Sequence, residues 1–155
     1  KKIKKLIKKV KSCAKDVFDE LGQGWTESVY QQAMEVALRE NNIKHEDQRI
    51  LPISYKGHIV GEGIPDLVFW TTYKRKRTKL SIVIDLKCTR NLKETNREQV
   101  AKYIRELKKQ VKPKEKVLDT GFVINFTKES SQKIEEEEEK DLKIIGGVQV
   151  LDVKV

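Results

Sequence analysis

An aspartate and a lysine stand two residues apart at the end of an apolar segment, SIVIDLKC, which covers residues 81–88. Side chains alternate along a strand, so Asp85 and Lys87 share one face, and the opposite face carries Ile82, Ile84, Leu86 and Cys88. A buried charge is costly unless it is paired or bound to a metal. The two charged residues therefore form either an ion pair that reaches solvent at the end of the strand or part of a cleft built for chemistry.

Two further carboxylates can reach the same place. Asp66, in the segment GIPDLVFW, alternates with Val68, and an adjacent antiparallel strand can bring it beside Asp85. Glu27 falls on the apolar face of a predicted helix and can be added if that helix packs on the same face of the sheet. Alternatively it stabilises the start of its own helix, because acidic residues in the first turn suit the helix dipole.

Carboxylates clustered beside a lysine predict a site for a hard divalent cation. Mg²⁺ and Mn²⁺ take oxygen ligands and usually retain several waters. A neighbouring lysine can then orient an attacking water and stabilise charge on a phosphate. The residue types therefore point to metal-dependent chemistry on a phosphate ester.

Apolar periodicity predicts the elements that position these residues. At 155 residues the chain is most simply one domain, residues 1–155, with a core of its own. Helices are predicted over 3–21, 25–41 and 92–111, the first with lysines on its outer face. Strands are predicted over 49–55, 58–72, 81–88, 118–126 and 148–155, with a turn at 56–57 and a bulge or bend near Gly61 and Gly63. This order predicts a mixed α/β sheet with helices packed on it.

The charge balance favours polyanionic partners. The formal net charge is +9 and the pI is about 9.4, so nucleic acid is the first candidate partner, and a merely soluble basic surface is the alternative. The glutamate run at 135–139 is predicted to be a solvated cluster. No apolar stretch approaches the ~20 residues of a membrane span. Cys13 and Cys88 lie far apart and lack the spacing of metal ligands, so both are predicted to be small core residues. Their use as core residues predicts a reducing intracellular compartment, cytoplasmic or nuclear.

The spacing of the candidate residues resembles a known nuclease signature. Pro65-Asp66, followed by Asp85-Leu86-Lys87 at the end of an apolar strand, resembles the motif of the PD-(D/E)XK phosphodiesterase superfamily. The chain is similar over roughly residues 21–126 to one branch, the GxxExxY protein family. The segment GWTESVY at 24–30 matches the name motif, and the similarity continues through YKG at 55–57, GEG at 61–63 and GFVINF at 121–126. Gln99 and Tyr103 resemble the QxxxY helix of RecB-like nucleases and share one helix face.

The resemblance implies a restriction-endonuclease-like αβββαβ core, here preceded by a basic helix, and it implies this fold more firmly than it implies a substrate. We expect a metal-dependent nuclease, with DNA favoured over RNA as substrate. The resemblance implies that Mg²⁺ or Mn²⁺ is held by Asp66, Asp85, the Leu86 carbonyl and Glu27. Lys87 would then position the attacking water, and Gln99 would hold the lysine or a phosphate. The products would carry 5′-phosphate and 3′-hydroxyl ends.

Contacts with the nucleic-acid backbone are expected from the basic N-terminal helix and from Arg90, Tyr103 and the basic loop Lys74-Arg75-Lys76-Arg77. Such contacts position a nucleic acid without reading its bases, so binding should weaken steeply with salt. No membrane partner is expected, and a protein partner or a homodimer stays open.

Three departures from the family pattern bear on activity. Asp85 stands where the family usually has glutamate, which keeps the carboxylate but shortens its reach. The stretch from Gly63 to Asp66 is about one residue shorter than usual, which makes Glu62 an alternative ligand. Asn96 occupies the region where the family often has a histidine. Two other hypotheses are therefore a catalytically inactive nucleic-acid-binding domain and a protein-interaction subunit on the same fold.

Overall fold

A computed structural model describes residues 2–73, 77–127, 142–145 and 147–155. Three helices are found in this part of the chain: α1 (Lys2–Leu21), α2 (Glu27–Glu40) and α3 (Glu94–Gln110). The strands found there are β1 (Lys44–Asp47), β2 (Leu51–Tyr55), β3 (His58–Gly63), β4 (Leu67–Tyr73), β5 (Thr78–Lys87), β6 (Glu115–Val117), β7 (Thr120–Phe126), β8 (Leu142–Ile145) and β9 (Val148–Lys154). None of the helices in these residues is both long and apolar enough to span a membrane.

The main sheet is mixed, as the order of elements predicts. Its strands follow the order β1-β4-β5-β7-β9-β8, and β6 pairs with the start of β5. The central strand β5 is antiparallel to β4 and parallel to β7, and α3 lies between these two parallel strands in sequence. Parallel neighbours require such a crossover connection. This is the α+β architecture of a restriction-endonuclease-like core.

The two faces of β5 bury two separate apolar clusters. Ile82, Ile84, Leu86 and Cys88 pack with buried residues of α1 and α2. Val83 faces the other way and packs with Val100, Ile104 and Leu107 of α3. The alternation predicted along this strand is therefore confirmed, and the face that carries Asp85 is the one covered by α3.

Close approach between α3 and the sheet depends on Gly121 of β7. A methyl group at this position would lie 2.7 Å from the Val83 carbonyl oxygen and 2.9 Å from Val100 Cγ1. Any side chain would therefore push α3 away from the strand that carries the candidate site.

The hairpin differs from its prediction. The expected strand over 58–72 is two strands, β3 and β4, separated at residues 64–66, where Pro65 cannot donate a ladder hydrogen bond. The hairpin β2–β3 forms its own two-stranded sheet, with the predicted turn at Lys56-Gly57 and a register shift between Ile53 and Ser54. Strands β1, β6 and β8 were not predicted. The glutamate run at 135–139 lies outside the described residues.

Candidate functional site

Asp66 and Asp85 meet on the α3 face of the sheet. The antiparallel register pairs Leu67 with Ile84, which brings the residue before β4 opposite Asp85. The Asp66 backbone N–H donates to Asp85 Oδ1 at 3.3 Å, and the Leu86 N–H donates to Asp66 Oδ2 at 2.7 Å. The strand-end pairing thus brings two carboxylates together as the alternation predicts.

Burial and mutual repulsion make this carboxylate pair electrostatically unfavourable. Asp85 is 3% exposed. Its burial, and then the neighbouring Asp66 carboxylate, raise the pKa of Asp85 from 3.8 to about 7. A group whose pKa is raised by desolvation and by a like charge marks a candidate functional site. A bound cation would offset this shift, because it favours the charged form of both carboxyl groups.

Lys87 supplies a positive charge at the edge of the pair. Its Nζ lies 3.5 Å from Asp85 Oδ2, and its side chain is 22% exposed. Burial acts to lower the pKa of Lys87, but the negative charges of Asp85, Glu27 and Asp66 outweigh burial, so the pKa is raised. Lys87 is therefore an ammonium group at neutral pH, suited to donating hydrogen bonds to anionic oxygens.

The expected three-carboxylate cluster is not formed. In the described part of the chain, no group of three or more His, Cys, Asp or Glu side chains is placed to hold a metal ion. The reason is that α2 packs on the opposite face of β5 from Asp85. Glu27 is the exposed first residue of α2, and its Oε1 accepts the Cys88 N–H at 3.2 Å, beyond the end of β5. It thus begins its helix at the rim of the cleft and acts on Lys87 through its charge.

The backbone of Asp66 is held by two residues that sequence reasoning missed. Its carbonyl oxygen accepts the Gln48 backbone N–H at 3.0 Å and the Gln31 Nε2 at 3.5 Å. Gln31 lies on α2, so this helix supports the site through Asp66 and not through its own carboxylate. Leu86, proposed as a carbonyl ligand, buries its side chain against α1 and α2.

Gln99 and Tyr103 lie in a groove between α3 and the hairpin. Gln99 Nε2 donates to the Tyr103 hydroxyl at 3.0 Å, and the Tyr103 hydroxyl also accepts the Ile64 backbone N–H. Burial, and then the charge of Asp85, raise the pKa of Tyr103. The ring packs against Gly63, where an added methyl group would come within 2.8 Å of Tyr103 Cε1.

Glu62 and Asn96, the other two residues that the departures from the family pattern bring into question, have different structural positions. Glu62 is exposed in the groove with Gln99, while Asp66 is the residue that contacts Asp85 and the backbone of β5. Asn96 Oδ1 accepts the Lys93 N–H at 2.8 Å and so caps the start of α3.

A buried polar network fixes the chain where it leaves β5. Asn125 on β7 is fully buried, and its side chain satisfies both the N–H and the carbonyl of Thr89, at 2.9 and 3.0 Å. Its Nδ2 also donates to Gln149 Oε1 at 2.9 Å. The network was not predicted, and the one available signal was an asparagine inside the apolar strand GFVINF.

The basic residues named from the sequence are not gathered at one place. Arg90 is exposed, three residues after Lys87. Arg77 precedes β5 at its other end, about 30 Å from Lys87 at the usual rise per strand residue. Lys74, Arg75 and Lys76 lie outside the described residues. Arg77, the one residue of the basic loop that the structure describes, therefore lies away from the carboxylate cleft.

Comparison with known proteins identifies the family. The family model of the PD-(D/E)XK nuclease superfamily matches residues 4–137, which is most of the chain. The matched range contains α2, α3 and all but the first two residues of α1, together with Asp66, Asp85 and Lys87. Neither a search of curated proteins nor a search of solved structures returned a match.

Proposed function

The chain belongs to the PD-(D/E)XK nuclease superfamily, and on that premise we propose that it is a metal-dependent nuclease that hydrolyses phosphodiester bonds in DNA. Members of this superfamily generally use divalent metals such as Mg²⁺ and act on nucleic acid. The observation that carries the proposal is the contact between Asp66 and Asp85, with the Lys87 ammonium 3.5 Å from Asp85.

The donor set fits Mg²⁺ or Mn²⁺. Two carboxylates meet there, and the buried one carries a pKa raised to about 7 by burial and by its neighbour, a situation that a cation relieves. Asp66, Asp85 and the Leu86 carbonyl would hold the ion, with waters completing its shell. When bound, a divalent cation supplies Lewis-acid stabilisation of the charge that builds on the phosphoryl oxygens. Glu27 is assigned a supporting role, through its charge on Lys87.

Lys87 and the α3 residues would act on the substrate. The Lys87 ammonium would position the attacking water and neutralise charge on the phosphate, which is the work of a preorganised donor. Gln99 and Tyr103 form a hydrogen-bonded pair on the same side of the sheet, and they would orient Lys87 or a phosphate oxygen. Attack by water with the 3′-oxygen as leaving group would give 5′-phosphate and 3′-hydroxyl products.

Two basic surfaces would hold the nucleic-acid backbone. Arg90 is exposed beside the cleft. A groove of about 670 Å³ on α1 is lined by Lys5, Lys8 and Lys9. The end of α1 at Leu21 is the part of this helix near the cleft, and Lys9 lies about 18 Å from that end along the helix. A nucleic acid that reached both surfaces would extend well beyond the scissile bond, and its affinity would fall steeply with salt.

The finer family is part of the proposal. The GWTESVY segment supports membership in the GxxExxY branch, and its residues have structural roles. Tyr30 is buried, stacks on Phe126 with ring centroids 4.5 Å apart, and donates its hydroxyl to the Gly22 carbonyl oxygen at 2.6 Å. Gly24 has a φ of +98°, which disfavours a side chain.

The test is cleavage of single- and double-stranded DNA and RNA by the purified chain with Mg²⁺ or Mn²⁺. Asp85→Ala and Lys87→Ala should each lower the rate by at least about 100-fold. Matched controls are Asp119→Asn and Lys108→Ala, which break an exposed ion pair between α3 and the residue before β7. Equal cleavage by the Asp85 and Lys87 variants, or no cleavage by the wild-type chain under any of these conditions, would refute the proposal.

A catalytically inactive nucleic-acid-binding domain is the second candidate. It is favoured by the absence, among the described residues, of a third carboxylate in the cluster. Titration calorimetry with Mn²⁺ separates the two functions, because a nuclease must bind the ion and a binding domain need not. Salt-sensitive DNA binding without heat from Mn²⁺ would favour the binding domain.

A further inference from the structure

Trp25 is held by three hydrogen bonds and yet is 52% exposed. Its indole Nε1 donates to the Leu21 carbonyl oxygen at 2.8 Å, and its backbone N–H donates to the Tyr30 hydroxyl at 3.4 Å. Its own carbonyl accepts the Cys88 thiol at 3.2 Å. Because the polar atom of the indole is satisfied within the chain, the exposed part of this side chain is the apolar ring. A large aromatic side chain usually buries most of that surface.

The exposed ring borders an open cavity at the end of β5. The cavity has a volume of about 610 Å³ and is lined by Gly24, Trp25, Thr26, Glu27 and Cys88. Pockets that take small molecules have volumes of ~300–1,000 Å³. Cys88 follows Lys87 directly in sequence, and the carboxylate that accepts the Cys88 N–H is the one that acts on Lys87 by its charge. The cavity therefore lies at the end of β5 that carries Lys87.

The segment that carries Trp25 is anchored in the core. Gly22 ends α1 with a φ of +70°, and its carbonyl accepts the hydroxyl of the buried Tyr30. The same hydroxyl receives the Trp25 N–H. A ring fixed in this way loses little conformational entropy when a ligand covers it.

We propose, on the basis of the nuclease function above, that Trp25 is a stacking platform for an unpaired base next to the scissile phosphate. The substrate class is therefore nucleic acid with a single-stranded segment. Every base has a π-face, so stacking on an aromatic side chain is strong and tolerant of sequence. A base inside a duplex is already stacked on both sides and cannot cover the ring without being flipped out. The ring borders a cavity that Cys88, the residue after Lys87, also lines. In a chain with a formal net charge of +9, this position favours a nucleotide over a protein side chain as occupant.

Trp25 fluorescence reports the contact directly. The chain has two tryptophans, and Trp70→Phe leaves Trp25 as the only one. Trp70 lies within β4, with Lys79 Nζ 3.9 Å from its ring centroid. In EDTA, which blocks cleavage, a single-stranded oligothymidylate should quench the remaining emission to saturation, and a blunt hairpin duplex of equal charge should not. Unchanged emission, while anisotropy shows that the oligothymidylate is bound, would overturn the proposal.

Affinities give a second readout. Trp25→Ala should weaken single-stranded binding by about 5- to 150-fold, the range for one base stacked on an aromatic ring. It should leave duplex affinity unchanged, and Trp25→Phe should fall between. Equal losses for both forms of nucleic acid would overturn the proposal, as would unchanged single-stranded binding by Trp25→Ala. Thermal unfolding of each variant checks the fold, and the fluorescence test does not depend on replacing Trp25.

Failure of this inference is distinguishable from failure of the nuclease proposal. Metal-dependent cleavage that persists with full single-stranded affinity in Trp25→Ala would refute the stacking proposal alone. Trp25-dependent binding without cleavage at any metal concentration would refute the nuclease proposal and support the stacking proposal. A wild-type chain that binds neither form of nucleic acid would refute both proposals.

Discussion

Replacing Asp85 by asparagine is expected to stabilise the metal-free protein at neutral and alkaline pH. Burial, together with the Asp66 carboxylate, raises the pKa of Asp85 from 3.8 to about 7. The folded protein therefore holds a proton that the unfolded chain releases near its ordinary pKa. Because the folded state binds more protons in this window, the free energy of unfolding falls as pH rises from about 4 to about 7 and does not recover above it.

The size of this effect follows from the shift. A difference of about 3 pKa units corresponds to about 4 kcal/mol as an upper limit, at 1.36 kcal/mol per unit. The pKa of about 7 already includes the attraction of Lys87, and local relaxation around the buried carboxyl reduces what is realised. We expect Asp85→Asn to gain about 1–3 kcal/mol over wild type at pH 8, which corresponds to roughly 2–4 °C in Tm for each kcal/mol. The amide keeps the contact from the Asp66 N–H and removes the charge.

Urea and thermal unfolding in EDTA at about pH 4, 6 and 8 measure the difference. The gain should fade towards pH 4, where the wild-type carboxyl is protonated in the folded protein and increasingly in the unfolded chain. Asp152→Asn is the matched control, because its carboxylate on β9 is paired with Lys11 at 3.5 Å and its loss should bring no gain at pH 8. A gain for Asp85→Asn that is equal at all pH values, or absent at pH 8, would refute the electrostatic account of the site.

Three further substitutions test how the scaffold holds the site. Gly121→Ala places a methyl group 2.7 Å from the Val83 carbonyl oxygen and should cost about 1–3 kcal/mol in urea unfolding; wild-type stability would contradict the close packing of α3. Tyr30→Phe keeps the ring stack but loses the hydroxyl that joins the end of α1 to the segment before α2. Its free energy of unfolding should fall by about 1 kcal/mol, which a lower Tm would show. Asn125→Ala removes the buried partner of both backbone groups of Thr89, so the free energy of unfolding should fall by about 2–4 kcal/mol. At matched folded fraction it should also lose more activity than Gly121→Ala. Equal activity losses in the two variants would show that the network only stabilises the fold.

The faces of β5 could be predicted from the sequence because strand periodicity is set by covalent geometry. Alternation alone places Asp85 and Lys87 on the face opposite Leu86, and that placement is independent of what covers each face. The side of the sheet on which a helix packs is a different matter. The apolar stripe of α2 shows that the helix has a buried face, and it contains nothing that distinguishes the Leu86 side of β5 from the Asp85 side. For that reason the sequence left two interpretations of Glu27 open, and the structure places it at the start of α2, at the rim of the cleft.

The features that were missed depend on contacts far apart in sequence. The strands β1, β6 and β8 have three or four residues each, too few to show a period. The roles of Gln31 and Asn125 appear only once α2 approaches residue 66 and β7 lies beside β5. Both side chains bind backbone groups, which every residue carries, so the residue types of these partners do not predict the contacts.

The geometry of the β4–β5 ladder bears on the two departures from the family pattern that fall at Asp66 and Asp85. The position of Asp66 is set by the β4–β5 ladder, which runs without a register shift from the Leu67–Ile84 pair. A stretch shortened by one residue before Asp66 is therefore taken up in the break between β3 and β4, and not by sliding the carboxylate along β5. The shorter side chain of Asp85 meets a neighbour that is held against the same strand, because Asp66 Oδ2 accepts the Leu86 N–H at 2.7 Å. In the proposed metal site the backbone approach of β4 would offset the reach lost with glutamate, and Asp85→Glu would be an overpacking change at a position 3% exposed.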